Sequence, residues 1–445
     1  MNYHQALAYL DSLQVHKIKL GLDSMRSFLD RVGSPEKKLR CVHVAGTNGK
    51  GSVCATLAAI AGRAGYRVGL YTSPHLSDVR ERFRLHDRFI TEEEFAGLAT
   101  RIREVLEPER ITYFEFCTAL ALLLFAEADL DLVVLETGLG GRLDATNVIT
   151  PLISVITSVS MDHEAYLGTT LTEVAGEKAG IIKPNVPVIS SATAPEAAAV
   201  IERVSRERQA PLYALGRDFD FFGDMQEGWQ WRGVQPPIAG ELTGLRCALK
   251  GRYQQQNSAV AVAVALLLGD YGFKIGTQAI EEGLASVFWP GRMEYFHADV
   301  HWEGLSTEAG EERMGRWFLL DGAHNPDGVK KLAESLAADF GGRRVIAVWG
   351  AMSDKDVAGA LAAIVPLVDT LILTRPSSER SATPEQLMAC LPPAETVKAS
   401  CVADVDSALA RAYEVSGPDD LIVVAGSLYL VGAARKLLCG EVVGG

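Results

Sequence analysis

The stretch VAGTNGKGSV, residues 44–53, sets Gly46, Gly49 and Gly51 around Lys50, between an apolar run and a helical pattern. Glycines there let the backbone turn tightly and aim its amides at a polyphosphate. Lys50 is placed to meet the β- and γ-phosphates, and the following helix adds its N-terminal dipole. Thr47 and Asn48 would line the phosphates. A strict Walker A loop would have a glycine at Val44 and a magnesium-binding Ser or Thr directly after the lysine. Here Gly51 follows, and Ser52 is one residue late. A magnesium ion would have to find its hydroxyl elsewhere.

Three further stretches offer metal-capable side chains, each just after an apolar run. YTSPHL supplies Ser73, VLETGLGGRLDATN supplies Glu136, and SVSMDHEAYLG supplies His163. Singly they read as a turn serine, an acid at a strand end and a helix-capping histidine. Together, beside a phosphate loop, they form the kind of hard donor set that magnesium accepts. No Ser-His-Asp or reactive-cysteine constellation is visible. The seven cysteines are scattered and never spaced C-x-x-C, so free thiols are expected, buried where the run is apolar, in a reducing compartment.

The elements that position these residues follow from hydrophobic runs. RCVHVAG, YRVGLYTS, LDLVVLETG and LISVITSVS read as buried strands separated by helices such as KGSVCATLAAIAGRAG and YFEFCTALALLLFAEA. Continuous apolar strands alternating with helices imply a parallel sheet covered on both faces, with ligands beyond the carboxyl ends of its strands. Residues 211–250 change to aromatic, β-type alternation, a small antiparallel excursion. FWPGRMEYF, 288–296, reads as a hinge, and the polar stretch 303–315 as an exposed loop. A second α/β set follows: RWFLLDG, RRVIAVWG, VDTLILTR and DDLIVVAG, with helices PDGVKKLAESLAADF and SLYLVGAARKLL. The expected fold is α/β. A P-loop ATPase domain, 1–290, has a mostly parallel sheet, and a Rossmann-like domain occupies 297–445.

At 445 residues, with 48% hydrophobic and 22% charged residues, the chain is a multidomain globular protein. Its net charge of −13 argues against a nucleic-acid surface. Charges interrupt the most apolar stretch, TALALLLFAEADLDLVVLE, so no membrane span is expected. The N-terminus reads as an amphipathic helix rather than a signal peptide, which points to the cytoplasm. Nothing resembles a dimerisation helix, so a monomer is expected.

Taken together, GTNGKGS, SPHL, ETGLGGRLDATN, MDHEAYLG, GEKAGIIK, PGR, LDGAHNP, SDKD and AGSLYLVG resemble the folylpolyglutamate synthase/dihydrofolate synthase family of bifunctional bacterial type. That family lies within the Mur-type ATP-dependent amide ligases, and the likeness runs over nearly the whole chain. The resemblance implies that Ser73, Glu136 and His163 hold Mg2+ and that Lys178 in GEKAG is carbamylated. Read alone, Lys178 is an exposed helix lysine beside Glu177. For ATP the resemblance implies Thr47 to Ser52 with Asn257, Arg292 and Asp321. The family more often has a histidine where Tyr253 stands. An arginine on the hinge could grip phosphates as the domains close.

For glutamate it implies Asp321, His324 and Ser427, with His324 also the candidate base; AHNP reads equally as a helix cap. For the pterin it implies Thr112, Tyr113, Phe114 and Glu115, and Leu143, Asp144 and Ala145. The aromatics there read equally as helix core. An acidic residue often precedes LGL in the bifunctional enzymes; here it is Lys19, which leaves open whether dihydrofolate synthesis accompanies polyglutamylation. The implied reaction joins a folate or dihydropteroate carboxylate to L-glutamate through an acyl phosphate, with ATP and Mg2+. Rival readings are a Mur-type ligase on a cell-wall precursor, a P-loop kinase or GTPase, and a non-catalytic nucleotide-binding protein.

Overall fold

The computed structural model describes residues 1–13, 21–224, 227–299 and 315–440. Lys19 and nearly all of the 303–315 stretch lie outside the described residues. Two units arise: Met1–Pro74, Val79–Ala248 and Gln254–Phe288 form the first, and His75–Asp78, Leu249–Tyr253 and Trp289–Gly445 the second. Residues 294–296 of the expected hinge are strand in the second unit.

In the first unit, α1 (Tyr3–Ser12) and α2 (Asp23–Arg31) precede β1 (Cys41–Ala45), which is buried at every residue. Then come α3 (Lys50–Arg63), β2 (Val68–Tyr71), β3 (Phe83–Leu85), β4 (Arg88–Phe89), α4 (Glu92–Leu106), α5 (Tyr113–Glu127), β5 (Leu132–Glu136) and β6 (Ile153–Ile156). The short α6 (Glu164–Leu167), α7 (Leu171–Ala179), β7 (Val188–Ser190), α8 (Pro195–Glu207) and β8 (Leu212–Ala214) complete the sheet layer. Strand order is β4-β3-β2-β5-β1-β6-β7-β8, parallel from β2 to β8 with an antiparallel β3–β4 edge.

Helix starts are written in the sequence. Asn2/Gln5, Thr91/Glu94, Thr112/Glu115 and Thr170/Glu173 each form a reciprocal capping box at α1, α4, α5 and α7. Such a box satisfies two amides that the first helical turn leaves unpaired. One core joins α1, α2, α4 and α5 to β2 and β5; another joins α7 and α8 to β6 and β7. No helix of the described residues is long and apolar enough to cross a membrane.

The aromatic excursion is a three-stranded antiparallel sheet of β9 (Phe219–Asp224), β10 (Gly228–Gly233) and β11 (Gly240–Leu245). In β10, Trp229 and Trp231 are buried and alternate with exposed Gln230 and Arg232. Trp231 stacks on Phe219, and its Nε1–H donates to the Ala259 carbonyl, 3.1 Å away, in α9 (Arg252–Leu267). α10 (Thr277–Ser286) ends this unit's helices.

The second unit contains β12 (Glu294–Ala298), β13 (Arg316–Asp321), α11 (Pro326–Asp339), β14 (Val345–Trp349), α12 (Val357–Ile364), β15 (Thr370–Leu373), α13 (Pro384–Ala389), β16 (Ala399–Cys401), α14 (Val405–Val415), β17 (Leu421–Ala425) and α15 (Leu428–Cys439). Its sheet order is β12-β13-β17-β14-β15-β16, with β12 antiparallel and the rest parallel. Leu319, Ala347, Leu371 and Val423 pack with α11 and α12. Their neighbours Leu320, Val348, Ile372 and Val424 pack with α14 and α15. The period of two assigns successive residues to opposite faces, so both faces are apolar and both are covered.

Trp231 links the small sheet to α9, so its removal should open a cavity and leave a strand unanchored. Trp231→Ala is expected to cost about 3–5 kcal/mol, read as a lower urea midpoint. A midpoint within experimental error of wild type would show that the sheet is held without it.

Candidate active site

The loop after β1 is shaped by what its glycines exclude. Gly49, at φ +87°, caps α3 in the left-handed region. A Cβ there would overlap Asn257 Oδ1, and one at Gly46 would overlap Thr157 Oγ1. The loop is laced to the segment after β6. Thr47 N–H donates to the Ser158 carbonyl (2.7 Å), and the Thr47 hydroxyl donates to the Ser160 carbonyl (2.9 Å) while accepting Ser160 N–H (3.0 Å). The Asn48 carbonyl accepts from Thr157 Oγ1 (2.7 Å) and Ser158 Oγ (3.1 Å).

With the side chains so committed, the backbone amides of Lys50, Gly51 and Ser52 in the first turn of α3 are the natural phosphate donors. Lys50 Nζ lies over the loop, 3.2 Å from the carbonyls of Gly46 and Thr47. The Ser52 hydroxyl is buried and accepts from Gln254 Nε2 (3.2 Å), and Asn257 Nδ2 donates to Gln254 Oε1 (2.8 Å). Thr157, Ser158 and Ser160 escaped the sequence reading because their hydroxyls sit in what reads as the tail of a strand.

Ser73 follows β2, and its amide donates to Glu136 Oε2 (3.1 Å) at the end of β5. These strands are neighbours, so Ser73 and a buried Glu136 come together directly. His163 reaches the same sheet edge after β6, in the left-handed region at φ +52°, with its amide donating to Asp162 Oδ1 (2.9 Å). Among the described residues no three His, Cys, Asp or Glu gather as a metal group. The expected set, Ser73, Glu136 and His163, holds only two of these types, the third member being a hydroxyl. Ser73 Oγ, the Glu136 carboxylate and an imidazole are hard donors that suit magnesium.

Lys178 is buried, at 3% exposure, which corrects its reading as an exposed lysine. It shares the inward face of α7 with Val174, Ala175 and Ala179, while Glu177 turns out to pair with Arg142 (2.8 Å). Lys178 Nζ donates to the Gly46 carbonyl (3.0 Å), so the amine lies against the phosphate loop. Burial, reinforced by the charge of Lys50, lowers its pKa to about 7, with Asp162 and Asp144 pulling the other way. Near neutral pH much of this amine is uncharged and nucleophilic.

Around α5, Thr112 and Glu115 are occupied by the capping box, and Ser24 Oγ donates to Glu115 Oε1. The Phe114 ring fills the space a Cβ at Gly138 would need, and the Arg82 guanidinium lies 5.5 Å from the Tyr113 ring. Leu143 is half-buried, and Ala145 packs in the core. Asp144 is buried. Its Oδ2 accepts the amides of Gly138 (2.9 Å) and Leu139 (2.8 Å), and its Oδ1 accepts the amide of Thr146 (3.0 Å). Burial raises its pKa, and these hydrogen bonds oppose the rise.

In the second unit, Asp321 ends β13 and is buried. Its Oδ2 accepts from Tyr253 OH (3.0 Å) and the Met293 amide (2.9 Å), and its Oδ1 accepts from the Ala323 amide (2.9 Å). Burial raises its pKa, opposed first by Arg292. Arg292 itself donates to the Gly291 carbonyl (3.0 Å). His324 Nδ1 lies 2.8 Å from the Gly322 carbonyl, and Asn325 caps α11 by accepting the Gly328 amide (2.8 Å). Ser427 caps α15, its hydroxyl accepting the Tyr429 amide (3.2 Å). β13 and β17 are adjacent, and the Gly426 amide donates to the Ala323 carbonyl (3.0 Å). Asp321, His324 and Ser427 therefore share one sheet edge.

Residues 44–265 match the Mur ligase middle domain, and residues 307–428 match the Mur ligase glutamate ligase domain. A Bacillus subtilis dihydrofolate synthase/folylpolyglutamate synthase is 34% identical over 98% of this chain and 99% of its own. Escherichia coli FolC in complex with DHPP and ADP superposes with a TM-score of 0.85 at 32% identity, covering 98% of this chain and 97% of that one. A bifunctional folylpolyglutamate synthase/dihydrofolate synthase crystallised with Mn, AMPPNP and L-glutamate gives a TM-score of 0.83 at 33% identity, covering 98% and 97%.

Lys178 titrates near 7 in the fold and near 10.5 when unfolded. Between those values the unfolded chain holds a proton that the fold does not, so this residue's contribution to stability rises with pH. Below 7 its burial penalty is fully present. In CO2-free buffer, Lys178→Met should be the more stable protein at neutral pH. The gap should narrow by about 1.4 kcal/mol per unit as pH rises above about 7. A gap independent of pH would refute the buried, neutral amine.

Proposed function

The chain belongs to the folylpolyglutamate synthase/dihydrofolate synthase family of Mur-type ligases, and on that premise we propose that it joins L-glutamate to folates at the expense of ATP. Tetrahydrofolate polyglutamylation is the central activity, and dihydropteroate is the second acceptor. The observation that carries this reading is one sheet edge holding a glycine-shaped phosphate loop, the Ser73–Glu136 pair and a buried, partly neutral Lys178. ADP, DHPP, AMPPNP, Mn and glutamate in the related structures support the same substrates and a divalent cation here.

A carboxylate is a poor electrophile, so the acceptor's carboxylate oxygen first attacks the γ-phosphorus of ATP. The β–γ bridging bond breaks, ADP leaves, and an acyl phosphate forms. The amine of glutamate then adds to the acyl carbon, and phosphate departs from the tetrahedral intermediate, leaving the amide. Lys50 and the first amides of α3 counter the charge on the phosphoryl group in flight. Ser73, Glu136 and His163 would hold magnesium, which supplies Lewis-acid stabilisation of the phosphates. Asn257, Arg292 and Asp321 are assigned to the nucleotide, and Asp321, His324 and Ser427 to glutamate.

The Gly322 carbonyl can only accept, so His324 Nδ1 carries a proton, and Nε2 is the nitrogen that would serve as base in the neutral ring. The loop 143–145 and the start of α5, Thr112 to Glu115, are assigned to the pterin. Lys178, as its carbamate, would add an anion beside Lys50. A cytoplasmic monomer completes the proposal; the buried free thiols of Cys41, Cys54 and Cys117 suit a reducing compartment.

Purified protein with Mg-ATP and L-glutamate is expected to release ADP with tetrahydrofolate and with dihydropteroate, and not without an acceptor. Release with tetrahydrofolate alone would remove the dihydrofolate synthase half. Release with neither acceptor would overturn the folate assignment and favour a cell-wall ligase. Lys50→Ala should lower turnover by roughly a hundredfold or more. In 13C-bicarbonate, a carbamate resonance should appear in wild type and be absent from Lys178→Met; its absence from both would exclude the modification.

A further inference from the structure

β1 carries a fully buried histidine that the chemistry above does not use. His43 Nε2 lies 2.8 Å from Thr146 Oγ1. The same hydroxyl lies 2.5 Å from Asp144 Oδ1, which also accepts the Thr146 amide. A hydroxyl has one proton to give. The Asp144 carboxylate is an acceptor, so Thr146 donates to it and must accept from His43. That puts a proton on His43 Nε2; burial keeps the ring neutral, which leaves Nδ1 unprotonated, and Nδ1 has no hydrogen-bond partner. The far oxygen of Asp144 then holds the amides of Gly138 and Leu139, two and three residues beyond Glu136.

The result is one hydrogen-bonded path. It begins three residues before Gly46 of the phosphate loop and ends in the segment 138–146. Both carboxylate oxygens of Asp144 are thereby spent on the protein: Oδ2 on two amides, Oδ1 on the amide and hydroxyl of Thr146. A buried carboxylate taking four donors is costly to disturb, because any donor removed leaves charge uncompensated. His43 and Thr146 are themselves wholly buried.

We propose that His43 and Thr146 are positioning residues that act through Asp144, holding the 138–146 segment in the shape that receives the folate acceptor. This rests on the proposed function, which assigns Leu143 to Ala145 to the pterin. Asp144 serves that segment as a brace through its carboxylate.

Wild type is compared with Thr146→Val, which keeps the shape and loses the hydroxyl, and Thr146→Ser, which keeps the hydroxyl. The expected result is a KM for tetrahydrofolate raised about tenfold in Thr146→Val and within about twofold of wild type in Thr146→Ser. The KM for ATP should stay within about twofold in both. Two-bond 1H–15N spectra of histidine-labelled protein should show one Nε2–H histidine whose signal moves in Thr146→Val and not in Thr146→Ser. Equal behaviour of the two variants, a KM for ATP that rises with that for folate, or no such signal would overturn the proposal. Wild type that releases no ADP with any folate would instead refute the proposed function, and the histidine signal would then decide the hydrogen-bonded path by itself.

Discussion

The first unit's sheet edge depends on how closely two side chains approach the glycine backbone of one loop. Gly46 and Gly49 admit Thr157 and Asn257 into the space where a side chain would begin, and the phosphate loop is thereby clamped between β6's extension and α9. That contact is steric before it is chemical. It leaves no room for a methyl group, so the loop's hydrogen bonds to Ser158 and Ser160 form with one geometry. Lys50, Lys178 and the first turn of α3 inherit their positions from it, Lys178 through the Gly46 carbonyl itself.

The second consequence of that crowding is electrostatic. Two lysines end near one loop carbonyl with little water around one of them. Burial penalises the charge on Lys178, the nearby charge of Lys50 adds to the penalty, and the pKa falls to about 7. The burial that makes the residue a poor cation makes it a good nucleophile for carbon dioxide. A structural penalty and a reactive amine are two descriptions of the same desolvation.

Much of this was legible in the sequence because strand ends carry the chemistry. Gly46, Ser73 and Glu136 each close an apolar run, and parallel strands bring such ends to one edge. The capping boxes that start α1, α4, α5 and α7 went unread, although each is Thr or Asn followed three residues later by Glu or Gln. What also escaped was whatever depends on a partner distant in the chain. β3 and β4 are short, arginine-bearing edge strands with no apolar run to announce them. β12 reads as a hinge because its Pro-Gly prelude is local while its partner β13 is not. Lys178 looked exposed beside Glu177, although Val174 and Ala175, one turn earlier, already marked its face as inward. Thr112, Glu115 and Asp144, which the resemblance assigns to a ligand, also make local hydrogen bonds, at the start of α5 and across the 138–146 segment.

The second unit's sheet places its last strand in the middle. β17 runs between β13 and β14, with Leu421 beside Trp317 on one side and Val345 on the other. Until residues 421–425 leave the ribosome, β13 and β14 have a strand-wide gap between them, and their unpaired edges face each other across it. β13 and β14 gain their shared neighbour only once residues 421–425 have been made, and until then those edges are templates for pairing with other chains. Loss of residues 421–425 would remove the centre of this sheet rather than trim its rim.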